Sequence, residues 1–430
     1  MTRFLRWWDT TLFIELFVLL LAAPALLQPG SFPEWAPAAS LGLLALTWVW
    51  RRWRLGVWWA ATPIDLPLFF LFLVMLPVAL WAAPPSLRLL YSIPKAYVLL
   101  WSLALFALVV AHGRRGAGYR QLFAFGFMLA GAAVAAVSAL GARFPAKVPL
   151  LAQLQALLPA DQLLALQGAE SGINANQVAG SLLYVLPLAP ALLLGLGMQR
   201  RWLQALLVLA ATLFMGLVFL AAQSRFSLMG MAAALLLLFL FPSRGGRWLL
   251  LLAGVSVAAV LPYIPWAQLF DIAQETEALG SITLAGRQEI WNRALYGIQD
   301  FSFTGMGLGT FRQIVHLLYP LFTISPGYDI GHAHNFFLQT ALDFGLPGLI
   351  ALLAILLLAV RQALHLWRAP APGDRFLALG ALAALLGSAL YGLGDAVAMG
   401  AKPHFLFWYL LALLFAAPAA GADRNEAPTP

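Results

Sequence analysis

The sequence predicts an all-α, polytopic membrane protein, and three observations carry that reading. Hydrophobic residues make up 62% of the 430 and charged residues only 10%, with a mean hydropathy of +0.86, far from the composition of a soluble domain. Apolar runs long enough to cross a bilayer, about 20 residues each, recur along the chain. Basic residues gather in pairs between those runs, a pattern of membrane topology and not of a nucleic-acid surface, in spite of the net charge of +8.

About twelve spans are expected from the run length that a helix needs. They lie near 11–29, 35–50, 64–83, 93–112, 121–141, 177–197, 203–221, 227–242, 248–264, 336–360, 376–397 and 405–420. The first run has no small-residue cleavage pattern after it and reads as a retained helix, not a signal peptide. With the N-terminus in the cytoplasm, Arg3, Arg6, the Arg51, Arg52 and Arg54 cluster, and the later arginine pairs fall on one side. That side holds sixteen of the 25 basic residues and the other holds nine, so the positive-inside rule orients both termini toward the cytoplasm. The absence of cysteine excludes disulfides and thiolate metal sites.

The organisation that follows is a block of nine spans over residues 1–264, interrupted by an interfacial outside segment near 142–176. An outside loop of short helices occupies 265–335, three spans occupy 336–420, and 421–430 reads as a disordered tail. Within 142–176, "LLAQLQALLPADQLLALQ" is amphipathic and suits the membrane surface. Within 265–335, "GRQEIWNRALYGIQD" has helical spacing at Ile290, Trp291, Ala294, Leu295 and Ile298.

The polar residues able to do chemistry concentrate on the outside. Arg225, in "AAQSRFS", sits in a turn of a few residues between two spans, where it either faces a wet cavity or an anion or snorkels to headgroups. Arg287, in "LAGRQEIW", stands at the start of the amphipathic helix, where free N–H groups and the helix dipole favour phosphate. "TGMGLGTF" lacks the Gly-Lys-Ser/Thr and the preceding strand of a nucleotide loop, so it reads as a tight turn that lets backbone approach backbone. In "GYDIGHAHNFFLQ", His332 and His334 are metal ligands only if His316 and Asp329 join them, and no recognised ligand pattern does so. Otherwise a histidine here serves as a general base or caps the next helix, with Asn335 a second candidate for the cap. Asp271, Glu275 and Glu277 read as a solvated acidic face, and the Trp7–Trp8–Asp9 stretch as an aromatic belt before the first span.

Taken in order, "INANQVAG", "QSR", "GRQEIW", "GMGLGTF" and "HAHNFFLQTALDFGLPG" resemble the O-antigen ligase and O-antigen polymerase superfamily of bacterial envelope enzymes over roughly residues 170–360. The resemblance implies a GT-C-like membrane glycosyltransferase whose donor is a glycan on undecaprenyl pyrophosphate, presented on the periplasmic face of the inner membrane. The acceptor is lipid A–core for ligases, another lipid-linked repeat for polymerases, and protein for some relatives. Chemistry is implied to be inverting, with no cofactor and no metal. By position in the motifs, Arg225 and Arg287 correspond to the pyrophosphate-binding arginines and His334 to the catalytic histidine; the role of His332 stays open. Asn174, Asn176 and Gln177 either bind sugar hydroxyls or cap a helix, and Lys402 either meets an acceptor phosphate or snorkels. The partners expected are therefore the lipid-linked donor, a glycan acceptor and membrane lipids, and no nucleic acid. Two other classes stand beside this reading. A transporter would carry charge within its spans, for which Asp395 is the main hint, and a peptidoglycan glycosyltransferase of the cell-shape class would need an acidic pattern that the sequence lacks. A single outside loop and a short chain favour ligase over polymerase.

Overall fold

The computed structural model describes residues 9–142, 144, 174–260, 284–325 and 329–417. These residues contain no strand. In chain order the helices are α1 (Thr10–Leu27), α2 (Trp35–Leu55), α3 (Asp65–Ala82), α4 (Pro85–Gly113), α5 (Ala117–Gly141), α6 (Ala175–Met198) and α7 (Trp202–Ala221). They continue with α8 (Arg225–Leu240), α9 (Arg244–Val260), α10 (Leu284–Asp300), α11 (Phe311–Leu318), α12 (Phe336–Trp367), α13 (Pro372–Gly392) and α14 (Lys402–Ala416). The protein is thus an all-helical polytopic membrane protein.

Each of the twelve expected intervals falls on a helix, and eight of the helices are long and apolar enough to cross a membrane: α1, α3, α4, α5, α6, α7, α12 and α13. α8 and α14 are apolar but shorter. In α2 the last turns carry Arg51, Arg52 and Arg54, and in α9 the first turn carries Arg244 and Arg247, which shortens the apolar stretch of each. The expected interfacial stretch between 145 and 173, the acidic Asp271, Glu275 and Glu277, the Trp7–Trp8 pair and the tail at 421–430 lie outside the described residues. Asp9 is described, and it caps α1: its Oδ1 accepts from the backbone N–H groups of Thr11 and Leu12 at 3.1 and 3.3 Å.

The spans pack around a continuous apolar core in which α14 lies against α4, α8 against α13, and α12 against α13. At one end of the bundle, the start of α1 meets the ends of α2 and α4 through buried charge. Arg51 donates its Nε to both Glu15 oxygens, at 3.1 and 2.9 Å, and its terminal nitrogen to Oε2, while His112 Nε2 lies 3.5 Å from Glu15 Oε1. All three side chains are buried. Charges so deep in an apolar bundle are tolerable only because each one partners another, so this group locks the three helices together.

At the opposite end, α10 and α11 form a lobe with a small core of its own, built on Ile290, Ala294, Met306, Phe311 and Val315. The helical spacing expected for α10 holds for Ile290 and Ala294, which are buried. Leu295, which shares that spacing, is exposed and lies outside this core. Two departures from the expected spans shape this end. The interval 376–397 is helical only to Gly392, so Asp395 sits in the connector between α13 and α14 and not within a span. α12 is broken at Gly345, which adopts φ +69° and ψ 178°, two residues before Pro347, so the stretch before the break leans on the lobe while the remainder continues into the bundle.

Candidate functional site

The glycine-rich turn expected in "TGMGLGTF" is a contact between backbones. Gly305 takes φ +69°, and a Cβ there would stand 2.7 Å from the Leu342 carbonyl oxygen; a Cβ at Gly345 would stand 2.5 Å from the Phe303 oxygen. Both conformation and space therefore call for glycine. The contact is sealed by Met306 N–H to Leu342 O and Leu346 N–H to Ser302 O, each 2.7 Å. Ser92, at the start of α4, donates to Leu308 O at 2.7 Å, which ties the turn to the bundle.

From this platform a chain of buried hydrogen bonds reaches the histidine segment. Asp343 Oδ1 accepts from Gly309 N–H at 2.8 Å and from Gln339 Nε2 at 2.9 Å. Gln339 Oε1 then accepts from Ala333 N–H at 2.8 Å, and Ala333 lies between the two histidines. His334 is held at φ +46°, an uncommon backbone for a non-glycine residue that persists only where neighbours impose it. Its N–H donates to His332 Nδ1 at 3.1 Å and its carbonyl accepts from Trp291 Nε1 at 3.2 Å. Asn335 is the cap of α12, its Oδ1 accepting from Phe337 and Leu338 N–H at 3.0 Å. Asn335 Nδ2 also donates to Leu393 O at 3.0 Å, and so fastens the histidine segment to the connector that carries Asp395.

Asp395 is the centre on which the charged groups converge. His334 Nδ1 lies 3.3 Å from its Oδ1, His332 Nε2 3.6 Å from the same oxygen, and an Arg287 terminal nitrogen 3.8 Å from Oδ2. The first of these is a close contact that does not make a full hydrogen bond. Asp395 and His332 are buried, whereas His334 and Arg287 keep about a seventh of their side-chain surface exposed, at 15% and 14%. Burial pushes the Asp395 carboxyl up, but His334, His332 and Arg287 outweigh it and hold the group below the usual carboxylate range. Burial, reinforced by the neighbouring His334, Arg287 and Lys95 and opposed by Asp395, pushes His332 down to about 3. His332 is thus a neutral imidazole. Because its Nδ1 accepts from His334 N–H, its proton sits on Nε2, facing Asp395.

Arg287 lies in the first turn of α10, its guanidinium 5.2 Å above the Phe226 ring and its Nε buried without a hydrogen-bond partner. Phe226 follows Arg225, which opens α8 and is exposed. Arg225 is thus the chain neighbour of the ring on which Arg287 stacks. Around Arg287 lie the elements of an anion site beside a base: a cation with an unsatisfied guanidinium donor, and a histidine whose Nδ1 is turned to a carboxylate, leaving Nε2 available.

The other candidates separate. Asn174 caps α6, its Oδ1 accepting from Gln177 N–H at 2.8 Å, while Gln177 is buried with its Oε1 unsatisfied. The Asn176 carbonyl accepts from Tyr391 OH at 3.1 Å, four residues before Asp395, so this segment forms part of the same wall. Lys402 hydrogen-bonds Gln28 at the end of α1. His316 and Asp329 are not the companions of the histidine pair, because Asp329 is paired with Arg312 on α11. A different trio has ligand spacing: His332, His334 and Asp395 each offer one atom, all within 4.8 Å of one another, a set able to hold a divalent cation.

Asp395 and Lys95 are the residues of this site that the site motifs do not point to. In sequence Asp395 is one carboxylate between glycines at the edge of an apolar run, and the break "GLGD" is the only local signal. Lys95, at the start of α4, packs its ammonium on Gly309 and acts electrostatically on His332; nothing in its apolar surroundings marks it.

No curated protein matches the chain. Residues 210–353 match the family model described as O-antigen ligase, a segment that contains Arg225, Arg287, His332, His334 and Asn335 and leaves Asp395 and Asn174 outside it. The match supports a membrane glycan ligase or polymerase class. By it, residues 210–353 are similar to the O-antigen ligase family.

Proposed function

We propose that the protein transfers a glycan from undecaprenyl pyrophosphate to an acceptor hydroxyl, as an O-antigen ligase acting on lipid A–core at the periplasmic face of the bacterial inner membrane. The observation that carries this reading is the convergence of His334 and Arg287 on Asp395, through contacts of 3.3 and 3.8 Å.

In the reaction we infer, the acceptor oxygen attacks the anomeric carbon and its proton passes to His334 Nε2. The bond from that carbon to the pyrophosphate oxygen breaks, the electron pair leaves with undecaprenyl pyrophosphate, and the configuration inverts. Arg225 and Arg287 would meet the charge gathering on the leaving group, where fixed cations in a poorly hydrated cavity act most strongly. Asp395 would orient the His334 ring through Nδ1 and stabilise the imidazolium, and a general base so held contributes about 10²–10⁴ in rate. Gln177 and Asn176 are the amides nearest to a sugar-binding role, whereas Asn174 acts as a cap.

Purified protein given an undecaprenyl-pyrophosphate glycan and EDTA, with lipid A–core in one tube and further lipid-linked repeats in another, tests the reading. Product only with lipid A–core is the expected result; a ladder in the second tube makes the protein a polymerase. Product that requires a divalent cation would move the His332, His334 and Asp395 trio from base to metal site. His334→Ala, Arg225→Ala and Arg287→Ala should each abolish transfer while leaving folded protein.

A further inference from the structure

The α10–α11 lobe leaves large apolar side chains outside its own core. Phe322 is 85% exposed, and Phe303 and Leu317 are each 79% exposed. Scattered apolar residues on a surface need no explanation, but a patch does, and side-chain contacts tie Phe322 to the two tyrosines beside it. Tyr296 and Tyr319 rings lie 6.4 Å apart, Tyr319 OH donates to Asp300 Oδ2 at 2.6 Å, and the Arg293 guanidinium stands over both Tyr296 and Phe322, at 5.8 and 5.5 Å.

The patch also has a direction. Along the exposed face of α10, Gln288 and Asn292 give way to Leu295 and Tyr296, and beyond the helix comes Phe303. Phe303 is the point at which the lobe touches α12 at its break: Leu346 N–H donates to Ser302 O at 2.7 Å. From there α12 turns Leu346 and Ile350 outward, 42% and 66% exposed, as a spanning helix does toward lipid. The apolar surface of the lobe therefore runs on from the lipid-facing surface of a span. Aromatic rings with an arginine guanidinium set over them are the composition of a membrane boundary.

We propose that this face of the lobe, from Phe303 through Tyr296 to Leu317 and Phe322, rests in the bilayer at the leaflet next to the histidine site, its apolar side chains among acyl chains and Arg293 at the headgroups. The lobe is then a foot that fixes the depth of the site relative to the headgroup layer. This inference does not depend on the transfer reaction.

The cysteine-free chain permits single-cysteine labelling without background. Phe303→Cys, Leu317→Cys, Phe322→Cys and the control Gln288→Cys would each carry a nitroxide, in the full-length protein reconstituted into phosphatidylethanolamine and phosphatidylglycerol vesicles. Power saturation then compares relaxation by oxygen, which concentrates in acyl chains, with relaxation by a water-soluble nickel chelate. Labels at 303, 317 and 322 should respond more to oxygen and the label at 288 more to nickel. Nickel dominance at all three patch positions would place the lobe in water and overturn the proposal. Labels shielded from both reagents would also overturn it, since another protein surface would then cover the patch. All three positions are exposed, and elution as a single folded species on size exclusion qualifies each variant.

Discussion

Asp395→Asn keeps the shape of the residue at the centre of the site and removes its charge. The carboxylate stands 3.3 Å from His334 Nδ1 and 3.8 Å from Arg287, and unit charges about 4 Å apart interact by about 4 kcal/mol at an effective dielectric near 20. If His334 becomes an imidazolium only as the acceptor proton arrives, that interaction is stronger in the transition state than in the ground state, and its loss falls on kcat. At about 1.4 kcal/mol per tenfold, with part of the loss recovered by the remaining amide oxygen, kcat should fall about 10²–10³-fold, while KM for the lipid-linked donor changes less than about tenfold. Single-turnover transfer from a labelled donor measures both. Folding is monitored by thermal melts, because the same carboxylate contributes to stability. Its pKa is depressed in the folded state, so the contribution is complete above the unfolded carboxylate value near 4 and disappears as pH falls through the lower folded value. A folded Asp395→Asn protein with near-wild-type kcat would refute the assignment of Asp395 as the partner of the base.

Three further outcomes follow from other parts of the molecule. Glu15→Leu should destabilise the bundle by about 3–5 kcal/mol, since Arg51 is left buried without its counter-charge, whereas Glu15→Leu combined with Arg51→Met should recover most of that loss; thermal denaturation in detergent distinguishes the two. Gln339→Leu strands the buried Ala333 N–H and one lone pair of Asp343, a loss of about 1–3 kcal/mol, and should lower kcat more than donor KM because the histidine segment loses its support. His332 is held neutral with its pKa down to about 3, while the unfolded chain takes up a proton near pH 6.5. Stability should therefore decline as pH falls from about 6.5 toward 3, and melts of His332→Gln between pH 7.5 and 4.5 (chosen as roughly this window) should show a shallower decline.

The spans were legible in the sequence because bilayer thickness imposes a run length that composition reveals directly. Asn335 was legible as a cap, since a side-chain acceptor ahead of an apolar helix satisfies N–H groups that the helix leaves unpaired. The glycines of "GMGLGTF" were legible as a close backbone approach, though not that the partner is the break at Gly345. The helical spacing at Leu295 was legible but its exposure was not, because periodicity reports a face and not which neighbour covers it. Asp395 was hidden because a carboxylate at the end of an apolar run looks the same whether it lines a span or leaves it. Its position followed from the end of α13 at Gly392, from Asn335 bonded to Leu393 O, and from the Phe226 ring lying where a side chain at 394 would stand.

By itself, then, the sequence determined an all-helical membrane protein, its polar motifs and the superfamily they resemble, because hydrophobic run length and local motifs are properties of neighbouring residues. Only the tertiary structure decided that His334 and His332 share Asp395 with Arg287, that Lys95 adds its charge, and that His332 is neutral. Charge interactions act through a few ångströms of space, and these residues are separated along the chain by up to three hundred positions, from Lys95 to Asp395, a distance that only packing of the helices removes.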